Sequence, residues 1–297
     1  MTSPLYAWQE RIAACRRQRQ RPDAEHWRDS AGWYRRWVRE NDYVEGALPS
    51  ILPALPEGGR MLEIGPGTGA FTRPLARRAG EVLALEPSPA MREELTRGLQ
   101  KAGQGHVRVL PGTVEESLGK IQPVKDYHLT LASFALYNVA PIDRVIAGLL
   151  SFSRCLVILL GTGAPSGWSQ RIYRELKGEP RIIPPQLDLL YPVLLAMGLY
   201  AEVEIIPTSQ HYVFSDREEM LDWWMDKYSL DSNQRRELAE LLEPLVERRN
   251  GRIGIYRQRQ LALVRLEREK QTGWSRKQIR KTARDHRTDG EQKEIGQ

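Results

Sequence analysis

Cysteine is nearly absent: Cys15 and Cys155 are the only two in 297 residues. Two thiols cannot build a disulfide framework or a zinc cluster, so no metal centre is expected and a reducing cytoplasm is the natural compartment. Long apolar runs are also missing. The longest, such as 155–160, fall far short of the about 20 residues a membrane-spanning helix needs, which argues against a membrane partner. The first residues carry arginines without the apolar stretch of a secretory leader. No segment repeats. Net basic charge is missing from the body, although the chain carries +6 overall. Residues 1–40 hold nine Lys/Arg and five Asp/Glu, residues 265–297 hold ten and six, and the intervening body is slightly acidic. A nucleic-acid protein more often carries its basic patch on the folded body.

Apolar residues make up 41 % of the chain, and eight tryptophans and eleven tyrosines add large half-polar surfaces, so a sizeable core is expected. Residues 5–45 read as helical, with aromatics at helical spacing. They form an N-terminal segment, 1–45, that either packs on the domain or closes over a ligand through Tyr34 or Tyr43. From residue 60 onward, apolar strands (60–65, 81–86, 107–110, 127–131, 155–161) alternate with helices (71–79, 89–101, 141–152). Ser88 caps the second of these helices and Pro89 opens it. Strands of this kind form a parallel sheet covered on both faces. The expected fold class is α/β, a doubly wound, mostly parallel seven-stranded sheet, with N-terminal helices and a helical insertion before the last strands. The main domain spans 46–266 and its insertion about 166–250. Within the insertion, 201–206 and 210–214 read as strands. Residues 216–228 read as a helix capped by Ser215 with Glu218 completing a capping box, and 232–249 as another helix. The last strand is 254–266, and the charged tail 267–297 is expected to be disordered.

Residues 61–72, Met-Leu-Glu-Ile-Gly-Pro-Gly-Thr-Gly-Ala-Phe-Thr, hold the most information. A strand ends at an acid, three glycines alternate at 65, 67 and 69, and a helix follows. Such a turn lets a ligand approach the backbone, and the helix dipole favours charge there. Glu86 ends the second strand, 21 residues after Gly65, where a ribose-binding acid is expected. Glu63 adds negative charge where a pyrophosphate would sit, which disfavours a nicotinamide dinucleotide and suits a ligand carrying an ammonium and a sulfonium. Residues 62–72 resemble motif I of the class I S-adenosylmethionine-dependent methyltransferases, and 84–91 resemble the segment after the second strand in that superfamily. The resemblance covers roughly residues 40–165. It implies the Rossmann-like fold, S-adenosylmethionine as cofactor, and roles residue by residue. Gly65, Gly67 and Gly69 would meet the methionine moiety. Glu63 would place its ammonium, and Glu86 would accept from both ribose hydroxyls. Thr113 stands where the superfamily often has an acid for the adenine, a departure that leaves adenine recognition to the Val114 N–H or to Glu115. Ser133 follows the fourth strand, where cofactor and acceptor meet.

The acceptor is less legible. No Asn-Pro-Pro-Tyr follows the fourth strand, and neither cysteine is placed to attack a pyrimidine. Tyr137 and His211 are the candidate catalytic residues. Tyr212 and His128 are weaker alternatives, and His128 more naturally packs within its strand. Trp168, Trp223 and Trp224 could wall an apolar pocket. The leading expectation is transfer of a methyl group to a small molecule. The alternatives are an RNA or protein substrate gripped by the basic termini, or a NAD-dependent oxidoreductase. Oligomeric state is not legible.

Overall fold

The computed structural model describes residues 2–19, 32–119, 121, 126–163 and 167–271. The chain opens with helix α1 (Pro4–Gln18), helical residues 32–39 (α2) and α3 (Tyr43–Ile51). Then β1 (Arg60–Ile64), α4 (Thr72–Ala76), β2 (Glu81–Glu86), α5 (Pro89–Lys101) and β3 (Val107–Pro111) follow. After α6 (Val114–Ser117) come β4 (Tyr127–Ser133), α7 (Ile142–Phe152) and β5 (Ser153–Gly161). The rest is α8 (Gly167–Lys177), α9 (Leu187–Ala196), β6 (Glu202–Phe214), α10 (Arg217–Tyr228), α11 (Arg235–Leu242), β7 (Glu247–Arg249) and β8 (Arg252–Glu267).

All strands among the described residues join one sheet in the order β3-β2-β1-β4-β5-β8-β6, with β7 on β8. Strands β1 to β5 are parallel, and β8 runs antiparallel to β5, β6 and β7. The expected doubly wound α/β sheet is present with eight strands. The eighth, β7, is a three-residue strand that the sequence pattern places inside a helix. Pro244 ends that helix early, since a proline cannot donate into the helical ladder, and residues 247–249 pair with β8 instead.

The sheet is apolar on both faces. Leu62, Leu85, Leu156 and Val264 pack against α1, α7 and α9; Met61, Leu129, Val157 and Leu263 pack against α3 and the glycine-loop helix. Each large aliphatic side chain so buried contributes about 1.5–3 kcal/mol.

Two expectations are corrected by local chemistry. The stretches 201–206 and 210–214 are one continuous strand, β6, running through Pro207. As the outermost strand it tolerates a proline, because no ladder partner awaits an N–H on its open side. The cap of α10 is Asp216, not Ser215: Asp216 Oδ1 accepts from Glu219 N at 2.9 Å, and Ser215 N donates to Glu219 Oε2 at 2.8 Å. The cap falls one residue later than expected, since aspartate caps as well as serine does, and Glu219 reaches back to the Ser215 N–H rather than to that of the cap. The cap expected for α5 is observed, with Ser88 accepting from Met91 N and Pro89 in the first turn. Residues 267–271 of the presumed tail are tied down. Arg268 pairs with Asp126 at 2.7 Å, and Gln271 bonds both ways with the Tyr200 backbone. The remainder of the tail, 272–297, lies outside the described residues, as does 20–31 of the N-terminal segment.

β6 and β8 are longer than β5. Gly161, the last residue of β5, pairs with Leu261, so residues 252–260 project past the carboxyl ends of the parallel strands. Residues of this arm, including Tyr212, Phe214, Ile253 and Ile255, form a third apolar cluster with α8, α10 and α11. A cap therefore stands on the side of the sheet where α/β folds bind ligands. No helix among the described residues is long and apolar enough to cross a membrane.

Candidate functional site

The loop after β1 places all three expected glycines at positive φ: 63° at Gly65, 58° at Gly67 and 87° at Gly69. A Cβ on Gly65 would lie 2.6 Å from Ala135 Cβ, and one on Gly69 would lie 2.6 Å from Leu95 Cδ1. The positive φ favours glycine at both positions, the Ala135 Cβ leaves no room for a side chain at 65, and the bare backbone there lies close to the turn after β4. Phe134, in that turn, holds φ at 52°, a conformation that non-glycine residues adopt at a cost and that concentrates at functional sites.

Two acids flank the loop. Glu86, 5 % exposed at the end of β2, takes the Gly67 N–H on Oε2 and the Ser88 N–H on Oε1, each at 2.9 Å. Burial raises its pKa, while those two N–H groups and Arg92 oppose the rise. Each oxygen keeps acceptor capacity beyond the one bond it makes. Glu63 is buried more deeply, at 2 % exposure, and its Oε2 has no hydrogen-bond partner among the described residues. Burial pushes its pKa up to about 8; the Thr72 side chain opposes the shift and the Glu86 charge adds to it.

The N-terminal segment lies over the loop. Tyr34 Cε1 is 3.5 Å from where a Gly67 Cβ would be. Tyr43 is buried and stands edge-on to both Phe71 and Phe134. Burial raises the pKa of both phenols. Ion pairs strap α2 to both sides of the cleft. Arg35 reaches Glu94 of α5 at 2.7 Å, and Arg36 reaches Glu219 of α10 at 2.8 Å.

Thr113 caps α6 with its hydroxyl accepting from Glu116 N at 3.3 Å, so that oxygen serves the helix. Val114 is the first residue of that helix, where the N–H has no intrahelical partner. Ser133 ends β4 beside Leu159 of β5, and Tyr137 lies in the turn just beyond. His211 faces away from Tyr212, on the other side of the β6–β8 pair. Its Nδ1 sits 2.9 Å from the Glu40 carbonyl, and its ring stands edge-on to Tyr256. The two candidate catalytic residues are thus not brought together. His128 Nδ1 accepts from Arg60 N at 3.0 Å, and Cys155 is a core thiol that burial pushes up to about 11. The three tryptophans do share the cap: Trp168 and Trp223 each stand edge-on to Trp224, with centroids 5.4 and 4.7 Å away.

Sequence reasoning missed Arg259, Lys227 and Arg181, which also converge here. Local signals existed. Arg259 shares strand parity with the inward Leu261 and Leu263, and Lys227 follows Trp223 and Trp224 at helical spacing. A separate cleft of about 570 Å³, lined by Leu83, Leu85, Leu110 and Tyr127, opens on β1–β3, away from the glycines.

A doubly wound sheet with a glycine turn after β1 and an acid ending β2 defines a nucleoside-binding α/β domain. Residues 61–156 match the family described as a methyltransferase domain, a match that supports the class I S-adenosylmethionine-dependent methyltransferase superfamily. It is 28 % identical over 165 residues to the magnesium-protoporphyrin O-methyltransferase of Rhodobacter capsulatus, covering 52 % of this chain and 71 % of that protein. It is also 28 % identical over 167 residues to the ribosomal RNA small subunit methyltransferase A of Dehalococcoides mccartyi, covering 48 % of this chain and 56 % of that one. Among solved structures, the magnesium protoporphyrin IX methyltransferase of Synechocystis, with bound S-adenosylmethionine, superposes with a TM-score of 0.40 at 13 % identity, covering 74 % of this chain and 77 % of that one.

The residues fit the superfamily's cofactor. Glu63 offers a buried carboxyl oxygen with no hydrogen-bond partner among the described residues, and once ionised it complements an ammonium. Glu86 has spare acceptor capacity for hydroxyls, and the glycines leave the backbone open.

Proposed function

We propose that this protein transfers the methyl group of S-adenosylmethionine to a nucleophile on a small molecule held beneath the α8–α10–α11 cap. The observation that carries this reading is the cap. The acceptor side of the glycine loop is roofed by an aromatic cluster of the chain's own, which suits a compact substrate rather than a polymer. Glu63 would hold the cofactor's ammonium, Glu86 its ribose hydroxyls, and Val114 N–H its adenine. Bound there, the cofactor supplies a methyl group on a sulfonium, which an in-line nucleophile can take. The chain's part is then to align the acceptor and exclude water, for which Tyr34, Tyr43 and the cap tryptophans are placed. An acceptor that is already nucleophilic needs no strong base. Where one is needed, Tyr137, beyond the end of β4, is the residue we propose.

Calorimetry with S-adenosylmethionine, S-adenosylhomocysteine and NAD tests the cofactor assignment. The first two should bind at about micromolar Kd, roughly −8 kcal/mol, and NAD should not bind. Glu86→Ala removes the ribose acceptor and leaves the Gly67 and Ser88 N–H groups unpaired. It should cost about 1–3 kcal/mol of affinity; full affinity in this variant would show that the ribose is held elsewhere. The acceptor is identified by methyl transfer from labelled donor to a metabolite panel and to RNA, with label expected in the metabolite fraction. Truncation after Gln271, which spares the anchors at 268 and 271, should leave both activity and its salt response unchanged. A polymer gripped by the basic tail would instead lose affinity and salt slope together.

A further inference from the structure

Three cations meet on the acceptor side of the glycine loop. Lys227 Nζ lies 4.6, 4.3 and 4.4 Å from the ring centroids of Tyr212, Trp223 and Trp224. The guanidinium carbon of Arg181 stands 5.7 Å from the Tyr228 ring, and that of Arg259 stands 5.4 Å from the Phe134 ring. Arg259 Nη2 also comes within 3.3 Å of where a Cβ on Gly161, the last residue of β5, would sit. Arg259 therefore spans the ends of β4 and β5, next to the turn that touches Gly65. All three cations keep part of their surface exposed.

No carboxylate answers them. Among the described residues, none of the three side chains makes an ion pair. The charges acting on Lys227 are those of Arg181 and Arg259, and the groups acting on Arg259 are the phenols of Tyr212 and Tyr34. Nearby acids are engaged elsewhere: Glu218 and Asp222 hold Arg235, Glu219 holds Arg36, Glu267 holds Lys270, and Glu247 of β7 holds Arg249. Burial and the two guanidinium charges press the Lys227 ammonium well below the ordinary lysine range. Like charges gathered in a partly dry site raise the free energy of the empty protein. Trp224 Nε1, which can only donate, is buried without a partner beside them. The cap thus gathers basic groups and donors in a body that is otherwise slightly acidic.

Building on the methyl-transfer reading, we infer that Arg259, Lys227 and Arg181 receive the acid group of the acceptor, which is an aromatic carboxylate. A guanidinium fork matches a carboxylate in two parallel bonds. The rings of Trp168, Trp223 and Tyr212 match a flat apolar body. A cationic amine acceptor would be repelled, and a neutral one would leave the cations unanswered.

The test uses the full chain saturated with S-adenosylhomocysteine, with tryptophan fluorescence as the readout, since Trp168, Trp223 and Trp224 surround the site. Benzoate, 4-hydroxybenzoate, indole-3-acetate and 1-naphthoate are each titrated against the matching carboxamide. At least one acid should bind about tenfold or more tightly than its amide, and the preference should shrink as salt rises. Arg259→Gln and Lys227→Gln should each erase most of the preference, while the Kd for S-adenosylhomocysteine stays unchanged. If either variant melts below the wild type, the wild-type ratio of acid to amide and its salt response decide the matter. Equal binding of acids and amides, binding of none of the acids, or a preference that survives both substitutions overturns the inference. Weakened S-adenosylhomocysteine binding in Arg259→Gln overturns it too, because Arg259 would then serve the cofactor. Failure of the wild type to bind S-adenosylhomocysteine at all is a different result and counts against the methyl-transfer reading itself.

Discussion

Thermal unfolding of the ligand-free protein should become easier as pH rises from 5 to 8, and Glu63→Gln should remove most of that slope. The folded chain keeps a proton on Glu63 up to about pH 8, whereas the unfolded chain releases it near 4.5. Across that window the folded state binds more protons, so stability falls with rising pH and levels off above about 8. The gap of three to four units corresponds to at most about 5 kcal/mol, because the carboxyl is buried with an oxygen that nothing satisfies. Glutamine is neutral at every pH in that range. The difference in Tm between wild type and variant should therefore widen steadily, reaching several degrees in the variant's favour at pH 8.5. Cofactor affinity should show the opposite trend. A bound ammonium needs the ionised carboxylate, so the Kd for S-adenosylmethionine should improve as pH rises toward 8 and change little beyond. In Glu63→Gln it should be weak and flat. If the two melting profiles run parallel, Glu63 is ionised in the folded chain and its proposed pairing with the ammonium loses its basis.

The glycine turn and the acids beside it were legible in the sequence alone, for a physical reason. The glycine turn and its two acids depend on neighbours within about 25 residues, and the demands are local: positive φ, strand ends and a helix start. Strand-and-helix alternation and the Ser88–Pro89 cap follow from the same short-range patterns, whereas for the N-terminal helix they left open whether it packs on the domain or brings Tyr34 or Tyr43 over the loop. The errors arose where two local rules competed or where a partner lay far off. Ser215 and Asp216 can each cap a helix, and sequence alone does not choose between them. Pro207 reads as a break unless its strand is known to be outermost. Thr113 reads as a ligand residue by position, yet the Glu116 three residues on makes it a helix cap. The cation cluster draws Arg181, Lys227 and Arg259 from a loop, a helix and a strand. Their meeting depends on how far the β6–β8 arm overshoots β5, a length set by register, which no single stretch encodes. The parity of Arg259 with two core leucines was the one readable warning: a charge at an inward strand position either has a partner or has a task.

Gly65→Ala should be the most damaging single methyl that can be added to the loop. Two costs combine. A non-glycine residue at φ near 63° loses about 1–2 kcal/mol against the backbone. The new Cβ would also meet Ala135 Cβ at 2.6 Å, and a methyl on the backbone has no flexible end to swing aside. Overpacking of that sort costs about 1–3 kcal/mol, for a combined loss of about 2–5 kcal/mol. Part of it will be relieved by the loop moving away from the turn after β4, which carries Gly67 N–H off Glu86 and deforms the surface the cofactor needs. The variant should therefore lose S-adenosylhomocysteine binding in calorimetry even at temperatures where circular dichroism shows it folded. Gly103→Ala supplies the control. Its φ is 66° and nothing lies within 4 Å of the added Cβ, so it carries the backbone cost alone. The difference in unfolding free energy between the two variants isolates the contact with Ala135. If they are equally destabilised and both bind the cofactor normally, the close approach of the loops after β1 and β4 does not shape the pocket, and the glycine at 65 is there for the turn alone.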